Sequence, residues 1–156
     1  MRHMLKEFLG FVWRSAPRSV RRLGVKLVEP RFTVTAGAVV EDDAGRILLL
    51  NHVFRKGSGW GIPGGFLSAG EQPEEALRRE LREETGMEIE AARLAFVRTL
   101  KRPRQVEIIY RCRVREADKA FKRNLEINTL AWFARDQLPD VTDDQRRIIA
   151  RALDGD

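Results

Sequence analysis

The chain has 156 residues, of which 43% are apolar and 33% are charged, and this composition predicts one globular domain that can bury a core. No apolar run approaches the roughly 20 residues that cross a bilayer. The single cysteine, Cys112, indicates a reducing, cytoplasmic location and excludes a disulfide scaffold or a cysteine-rich zinc site. The two histidines, His3 and His52, are too few for a histidine-built metal centre.

The net charge of +6 belongs to the N-terminal end of the chain. Residues 1–31 contain eight basic and two acidic residues, whereas the remainder contains 21 of each sign. We therefore distinguish a basic, amphipathic arm over residues 1–30 from a neutral body over residues 31–156. A neutral body argues against a dedicated nucleic-acid-binding protein.

Apolar residues recur at helical spacing in the arm, and Pro17 ends the first predicted helix. These residues are Leu5, Phe8, Leu9, Val12 and Trp13. A second segment, residues 19–28, mixes apolar residues with basic ones. Three roles stay open for the arm: packing on the body or on a second subunit of a homodimer, peripheral binding to an anionic membrane, or a largely disordered segment. Packing is the simplest interpretation, and we favour it.

The body begins with a predicted β-hairpin over residues 33–52, whose turn is formed by residues 42–45. Residues 57–65 contain five glycines and one proline and are predicted to form a loop. Residues 73–85 are predicted to form a helix, because Pro73 suits a first turn and Gly86 a helix end.

The second half of the body adds strands over residues 93–100, 105–115 and 129–134, with a charged loop over residues 116–126. Apolar and arginine side chains alternate along residues 105–115, which places Cys112 in the core rather than at a reactive site. The last helix begins at Thr142, which forms a capping-box pattern with Gln145. Several strands with two well-marked helices indicate a mixed α/β domain.

A glycine-rich loop runs into a helix crowded with carboxylates. Glu80, Glu83 and Glu84 stand at positions i, i+3 and i+4, within an arc of roughly 100° on the helix wall. A hard divalent cation, Mg²⁺ or Mn²⁺, would relieve their repulsion. The other interpretation is an ordinary solvated face with alternating charge. Gly64 and Gly65 favour the metal site, because a glycine backbone can approach a cation or a phosphate closely.

The segment from Gly65 to Met87 resembles the signature box of the Nudix hydrolases. Nine defining positions match at the family's spacing: Gly65, Glu71, Arg79, Glu80, Leu81, Glu83, Glu84, Gly86 and Met87. The order of strands resembles the family over roughly residues 33–153, and the arm lies outside the resemblance. The resemblance implies an α/β/α sandwich with a mixed sheet, and hydrolysis of a nucleoside diphosphate linked to another group, X.

The resemblance also implies roles for the residues of the box. Three glutamates are expected to bind the metal: Glu80, Glu83 and Glu84. The backbone carbonyl of Gly64 is a further expected ligand. Glu71 and Arg79 are expected to hold the loop and the helix carboxylates in register.

The expected chemistry is attack of an activated water in line with the leaving phosphate. None of the nine defining positions of the box is a serine or a cysteine, so no covalent intermediate is required. The general base stays open between Glu83 and Glu126, with Glu116 and Asp118 as weaker candidates.

Basic residues near the box are the predicted contacts to substrate phosphates: Arg55, Lys56, Arg102 and Arg104. A solvated basic loop explains them equally well. Pro103 favours a nucleotide sugar such as ADP-ribose only slightly, because its spacing from the box departs from that of the ADP-ribose-cleaving members. Trp60 more readily packs beneath the glycine loop than stacks on a base, and His52 is interpreted as a polar residue at a strand end.

Two other functions stay open beside a hydrolase of small nucleotides. A nucleotide-sensing module with this fold and no activity would be expected to lose carboxylates of the box, and this chain keeps them all. An RNA 5′-end pyrophosphohydrolase would draw on the basic arm, which is the one feature that favours it. The leading prediction is an active pyrophosphohydrolase.

Overall fold

The computed structural model describes residues 2–55, 57–115 and 125–155. The chain divides between Phe32 and Thr33 into two compact units. None of the helices in the described ranges has both the length and the apolar character needed to cross a bilayer.

The N-terminal unit consists of two helices, α1 (Arg2–Ser15) and α2 (Arg18–Val28). Pro17 precedes α2 in an extended conformation and separates the helices, because its ring clashes with a preceding helical turn and it lacks a backbone N–H. The ring of Trp13 lies 3.3 Å from the place where a Cβ atom on Gly24 would stand, so the missing side chain lets α2 approach α1 there. No residue of α2 is buried.

The second unit is built on one mixed sheet, in which the structure describes seven strands. They are β1 (Thr33–Glu41), β2 (Ile47–His52), β3 (Trp60–Gly61), β4 (Gly64–Phe66), β5 (Glu88–Leu100), β6 (Gln105–Arg115) and β7 (Ile127–Phe133). The main order is β3-β2-β1-β6-β5, with β4 paired to β1 and β7 paired to β2. The pair β1–β6 is parallel and the other pairs are antiparallel.

Two helices cover the two faces of the sheet, α3 (Pro73–Thr85) and α4 (Asp143–Leu153). Alternate residues of β1 and β2 point to opposite sides: Ala38 and Leu48 pack with α3, whereas Val39 and Leu49 pack with α4. This alternation follows from the two-residue repeat of a strand. The predicted α/β/α sandwich with a mixed sheet is confirmed.

The predicted bounds of α3 and of β6 agree with the structure, and β5 and β7 differ from their predictions at their ends. Strand β5 begins at Glu88 instead of residue 93, because its first residues pair with the far end of β6. The predicted loop 57–65 contains β3 and part of β4, which form because β2 and β1 offer them free edges. Of the predicted loop 116–126, residues 116–124 lie outside the described residues, and with them Glu116 and Asp118.

The cap of α4 differs from the prediction in one contact. Thr142 accepts a hydrogen bond from the backbone N–H of Gln145 at 3.2 Å, as expected. The side-chain oxygen of Gln145 accepts instead from the backbone N–H of Ile62 at 2.9 Å. Gln145 therefore ties the glycine loop to α4.

Two single-residue predictions agree with the structure. Cys112 is buried in the core, and burial raises the pKa of its thiol to about 12, so it is not a nucleophile at neutral pH. Trp60 packs edge-on against Phe133, with ring centroids 5.1 Å apart, beneath the loop that it begins.

Candidate active site

Helix α3 brings three carboxylates together because its other side is anchored in the core through Leu77 and Leu81. Glu84 is buried, with 6% of its surface exposed, whereas the side chain of Glu83 is 60% exposed. An open depression is lined by Glu80, Glu83, Glu84, Leu125 and Glu126. The segment that precedes β7 thus adds a fourth carboxylate to those of the helix.

The guanidinium of Arg79 joins the loop before α3 to the helix. It donates to both carboxylate oxygens of Glu71, at 2.8 and 3.0 Å, and to the backbone carbonyl of Phe66 at 3.1 Å. It also reaches Glu80 at 2.8 Å and Glu83 at 3.4 Å. Because one planar group binds all four, Arg79 sets the positions of the carboxylates around it.

Glu71 is held as a carboxylate by its partners. The hydrogen bond from Arg79, together with that from the backbone N–H of Ser68 at 2.8 Å, lowers the pKa of Glu71 to about 2. Glu71 is therefore ionised across the physiological range and acts as a fixed anchor for Arg79.

Gly64 and Gly65 lie where a side chain would not fit. A Cβ atom on Gly64 would stand 2.3 Å from the backbone oxygen of Ala36, and the φ angle of +146° favours glycine. A Cβ atom on Gly65 would stand 2.2 Å from a carboxylate oxygen of Glu80. The backbone N–H of Gly64 donates to Glu84 at 3.2 Å. The glycine pair therefore lets the main chain of β4 touch the carboxylates of α3.

Burial, with a smaller contribution from the negative charges of Glu80 and Glu126, raises the pKa of Glu84 to about 8. The N–H of Gly64 and the cation of Arg55 act in the opposite direction. The folded chain therefore disfavours the ionised form of Glu84 unless further positive charge is close by.

His52 lies beside Glu84, with Nδ1 3.9 Å from a carboxylate oxygen. Burial, followed by the charge of Arg55, lowers the pKa of His52 to about 4, so the imidazole is neutral at physiological pH. The position of His52 at the end of β2 was predicted, but its neighbour was not. The sequence indicates only that Arg55, which stands three residues after His52, can lie near the imidazole.

The donor set of the depression fits a hard divalent cation. Across the part of the chain that the structure describes, no three Asp, Glu, His or Cys side chains are close enough to hold an ion as they stand, and Arg79 binds two of the carboxylates. The residues fit a cation because four carboxylates line one depression. In addition, burial of Glu84 disfavours its ionised form, which a cation would stabilise. Oxygen donors of this kind suit Mg²⁺ or Mn²⁺.

A second cavity, of about 190 Å³, is lined in part by the glycine loop. Its polar lining comes from Thr35, Arg55, Gln105, Glu107 and Gln145. Nη1 of Arg55 is buried and has no hydrogen-bond partner among the described residues. Arg55 packs on Gly61, where a Cβ atom would collide with the guanidinium. A buried guanidinium with an unused donor is suited to an anionic ligand.

The other predicted phosphate contacts lie elsewhere. Arg102 and Arg104 are exposed on the turn between β5 and β6, and the cavity is lined from that region by Gln105 and Glu107. Lys56 lies outside the described residues. Nearby Arg98 binds the carboxylate of Asp144 at 2.8 and 2.6 Å and also contacts Glu107, so its role in the structure is to link β5 to α4.

Comparison with known proteins adds independent findings. A family model described as NUDIX domain matches residues 31–152. A MutT-like protein from Streptomyces ambofaciens is 31% identical over 112 residues, which cover 71% of this chain and 70% of that protein. A MutT NUDIX hydrolase from Burkholderia pseudomallei is 30% identical, with a TM-score of 0.68 over 78% of this chain and 98% of its own. An ADP-ribose pyrophosphatase from Streptococcus suis is 23% identical and shares the fold, with a TM-score of 0.64 over 80% of this chain and 93% of its own.

Proposed function

This chain belongs to the Nudix hydrolases and is a pyrophosphohydrolase, and we propose that it cleaves the diphosphate linkage of a nucleoside diphosphate joined to another group, X. A nucleotide sugar such as ADP-ribose is the favoured substrate class. The observation that carries the proposal is the meeting of four carboxylates in one depression, beside a cavity that Arg55 lines.

Nudix hydrolases generally use divalent metal ions, and Mg²⁺ or Mn²⁺ is the proposed cofactor here. Its proposed ligands are the carboxylates of Glu80, Glu83 and Glu84 and the backbone carbonyl of Gly64. When bound, the cation neutralises the diphosphate oxygens and lowers the pKa of water. Glu71 and Arg79 hold the ligand carboxylates close to β4, so that little reorganisation is needed during the reaction.

Glu126 is the proposed general base. Glu83 is assigned to the cation and its carboxylate is also bound by Arg79 at 3.4 Å, whereas Glu126 stands on a different segment of the same depression. The main chain of Glu126 is fixed by the N–H of Val53, which donates to its carbonyl at 2.8 Å. From there its carboxylate accepts the proton of the attacking water.

Arg55 is the proposed contact to a substrate phosphate. Its Nη1 is already desolvated and unpaired among the described residues, so an incoming phosphate oxygen satisfies a donor whose burial is costly. Gly64 and Gly65 line the same cavity and also contact Glu84 and Glu80, which connects it to the carboxylates. A diphosphate can therefore reach from the cavity to the depression along the glycine loop.

A phosphate-release screen with Mg²⁺ and with Mn²⁺ tests the proposal. The substrates are ADP-ribose, nucleotide sugars, nucleoside triphosphates, dinucleoside polyphosphates and RNA with a 5′-triphosphate or cap. Phosphatase is added so that phosphomonoester products are counted. We expect Glu83→Gln to lower turnover at least about a hundredfold. Glu88→Gln, which changes an exposed carboxylate bound to Arg82, is the matched control.

Titration with Mg²⁺ distinguishes the proposed metal ligand, Glu83, from the proposed general base, Glu126. Glu83→Gln should raise the Mg²⁺ concentration needed for half-maximal rate, whereas Glu126→Gln should lower kcat and leave that concentration unchanged. Turnover of Glu83→Gln at the parent rate would remove the proposed metal site. Nucleotide binding without any turnover would indicate a sensor, and a preference for RNA ends would indicate an RNA pyrophosphohydrolase.

A further inference from the structure

The two helices of the arm concentrate exposed apolar surface. Of the 16 large apolar residues that are exposed among the described residues, nine lie in α1 and α2. These helices contribute 14 and 11 residues to a chain of 156. Exposed apolar side chains that are concentrated in one part of a chain indicate a surface for an interaction.

The basic residues of α2 lie mostly opposite a group of three apolar residues, while Val25 lies among the basic ones. Val20, Leu23 and Leu27 share one side at positions i, i+3 and i+7, and they are 54%, 56% and 78% exposed. The basic side carries Arg18, Arg22 and Lys26 at i, i+4 and i+8, with Arg21 beside them.

Helix α1 has an apolar side of the same kind. Phe8, Phe11 and Val12 stand at i, i+3 and i+4 and are 63%, 64% and 47% exposed. Trp13 contacts α2 at Gly24, so the helices pack together there and leave these apolar sides uncovered.

The net charge of the arm distinguishes between the possible partners of its two helices. Residues 1–31 have a net charge of +6, so a second copy of the arm would bring two strongly positive segments into contact. A nucleic acid would satisfy the charge but would leave the phenylalanine and leucine side chains exposed. An anionic phospholipid surface satisfies both, because headgroups attract the basic residues and the acyl boundary accepts the apolar ones.

We propose that α1 and α2 bind the surface of an anionic phospholipid bilayer, with Phe8, Phe11, Leu23 and Leu27 inserted at the headgroup boundary and the basic side of α2 on the headgroups. Amphipathic helices with basic polar sides lie in the plane of such a surface. The hydrolase is thereby recruited to a membrane surface, whatever nucleotide it cleaves.

Co-sedimentation of the full chain with vesicles tests this proposal. One set contains equal parts of phosphatidylglycerol and phosphatidylcholine, and the other contains phosphatidylcholine alone. We expect binding to the anionic set only, weaker at high salt. Arg18→Gln, Arg22→Gln and Lys26→Gln combined should weaken partitioning roughly a hundredfold, because each basic residue at the surface contributes a factor of about five.

Matched controls separate charge from insertion. Lys101→Gln, Arg113→Gln and Arg146→Gln combined remove the same charge from exposed positions of the body and should bind as the parent does. Leu23→Gln with Leu27→Gln keeps the charge and the helix propensity, and it should weaken binding on the order of tenfold. Circular dichroism checks that each variant keeps its helices.

Several results would overturn the proposal. Absence of binding to the anionic vesicles at low salt is one, and equal binding to both vesicle sets is another. If the charge variant of α2 weakens binding and the leucine variant does not, the partner would be an electrostatic one such as RNA. A dimer in sedimentation velocity that the leucine variant dissociates, without vesicle binding, would assign the apolar side to a second copy.

Discussion

Glu84 is a buried carboxylate whose charge the folded chain disfavours, and this conflict predicts a measurable effect on stability. Its pKa is about 8 in the folded chain against an ordinary value of 4.5. Below pH 4.5 the group is neutral in both the folded and the unfolded chain, so it has no unfavourable effect. As pH rises from 4.5 through 8, ionisation favours the unfolded chain, so stability falls across that window and stays low above it.

Glu84→Gln should therefore raise the melting temperature of the metal-free protein at pH 9 by several degrees and change it little near pH 4.5. Glutamine keeps an oxygen that accepts the hydrogen bond from Gly64 but carries no charge. The measurement is thermal unfolding in EDTA at both pH values, with Glu88→Gln as control. An equal shift at pH 4.5 and pH 9 would contradict the electrostatic explanation.

Arg79→Lys should lower kcat about 10- to 100-fold at saturating Mg²⁺, the range typical for residues that orient metal ligands. A lysine has one compact cation and cannot bind Glu71, Glu80 and the carbonyl of Phe66 together. Arg82→Lys, on the same helix but in an exposed pair with Glu88, is the control and should keep the parent rate. Equal rates for both variants would show that the bridge is dispensable.

The carboxylates and Arg79 could be predicted as single residues, because the i, i+3, i+4 spacing in a helix decides which side chains share a face. Their surroundings could not. Glu84 meets His52 and Arg55 only because the end of β2 packs beside α3, and no local pattern in the sequence encodes that contact. The partner of Arg98 could not be predicted either, because Asp144 lies far along the chain, in α4.

The contact between β4 and Glu80 depends on the missing side chain of Gly65. Gly65→Ala should displace the carboxylate of Glu80, because the new Cβ atom would stand 2.2 Å from it. The backbone of Gly65 does not adopt a positive φ angle, so the variant should fold. We expect at least a tenfold rise in the Mg²⁺ concentration for half-maximal rate, as for the loss of a metal-orienting contact. Gly10→Ala, which meets only the end of Arg14, is the control, and unchanged metal dependence in Gly65→Ala would contradict the assignment of Glu80.

Elements with strong local signals were predicted well. Helix α3 begins at Pro73 and ends before Gly86, whose φ of 74° suits glycine, and both residues mark the helix in the sequence. Strands β3 and β4 were missed because they are two and three residues long and exist through pairing with β2 and β1. Gln145 was read as part of a cap, and its bond to Ile62 depends on the fold that brings the glycine loop to α4.

The whole molecule combines a hydrolase unit with a basic helical unit, and the two differ in what they should bind. The family match begins at residue 31, next to the division between the two compact units at Phe32 and Thr33. The carboxylates and Arg55 all belong to the second unit. The proposed metal ligands, general base and phosphate contact therefore all come from that unit.

Removal of residues 1–30 should leave kcat/KM for a small nucleotide substrate within about twofold of the parent, because every proposed site residue belongs to the second unit. The same deletion should abolish sedimentation with anionic vesicles, since it removes seven of the eight basic residues of the N-terminal segment and the apolar sides of both helices. Both assays use one preparation, checked by circular dichroism for the α/β signal of the remaining unit. A large fall in kcat/KM in a folded preparation would mean that the arm contributes to the site, whereas loss of RNA-end cleavage with small nucleotides spared would make the arm a guide for RNA.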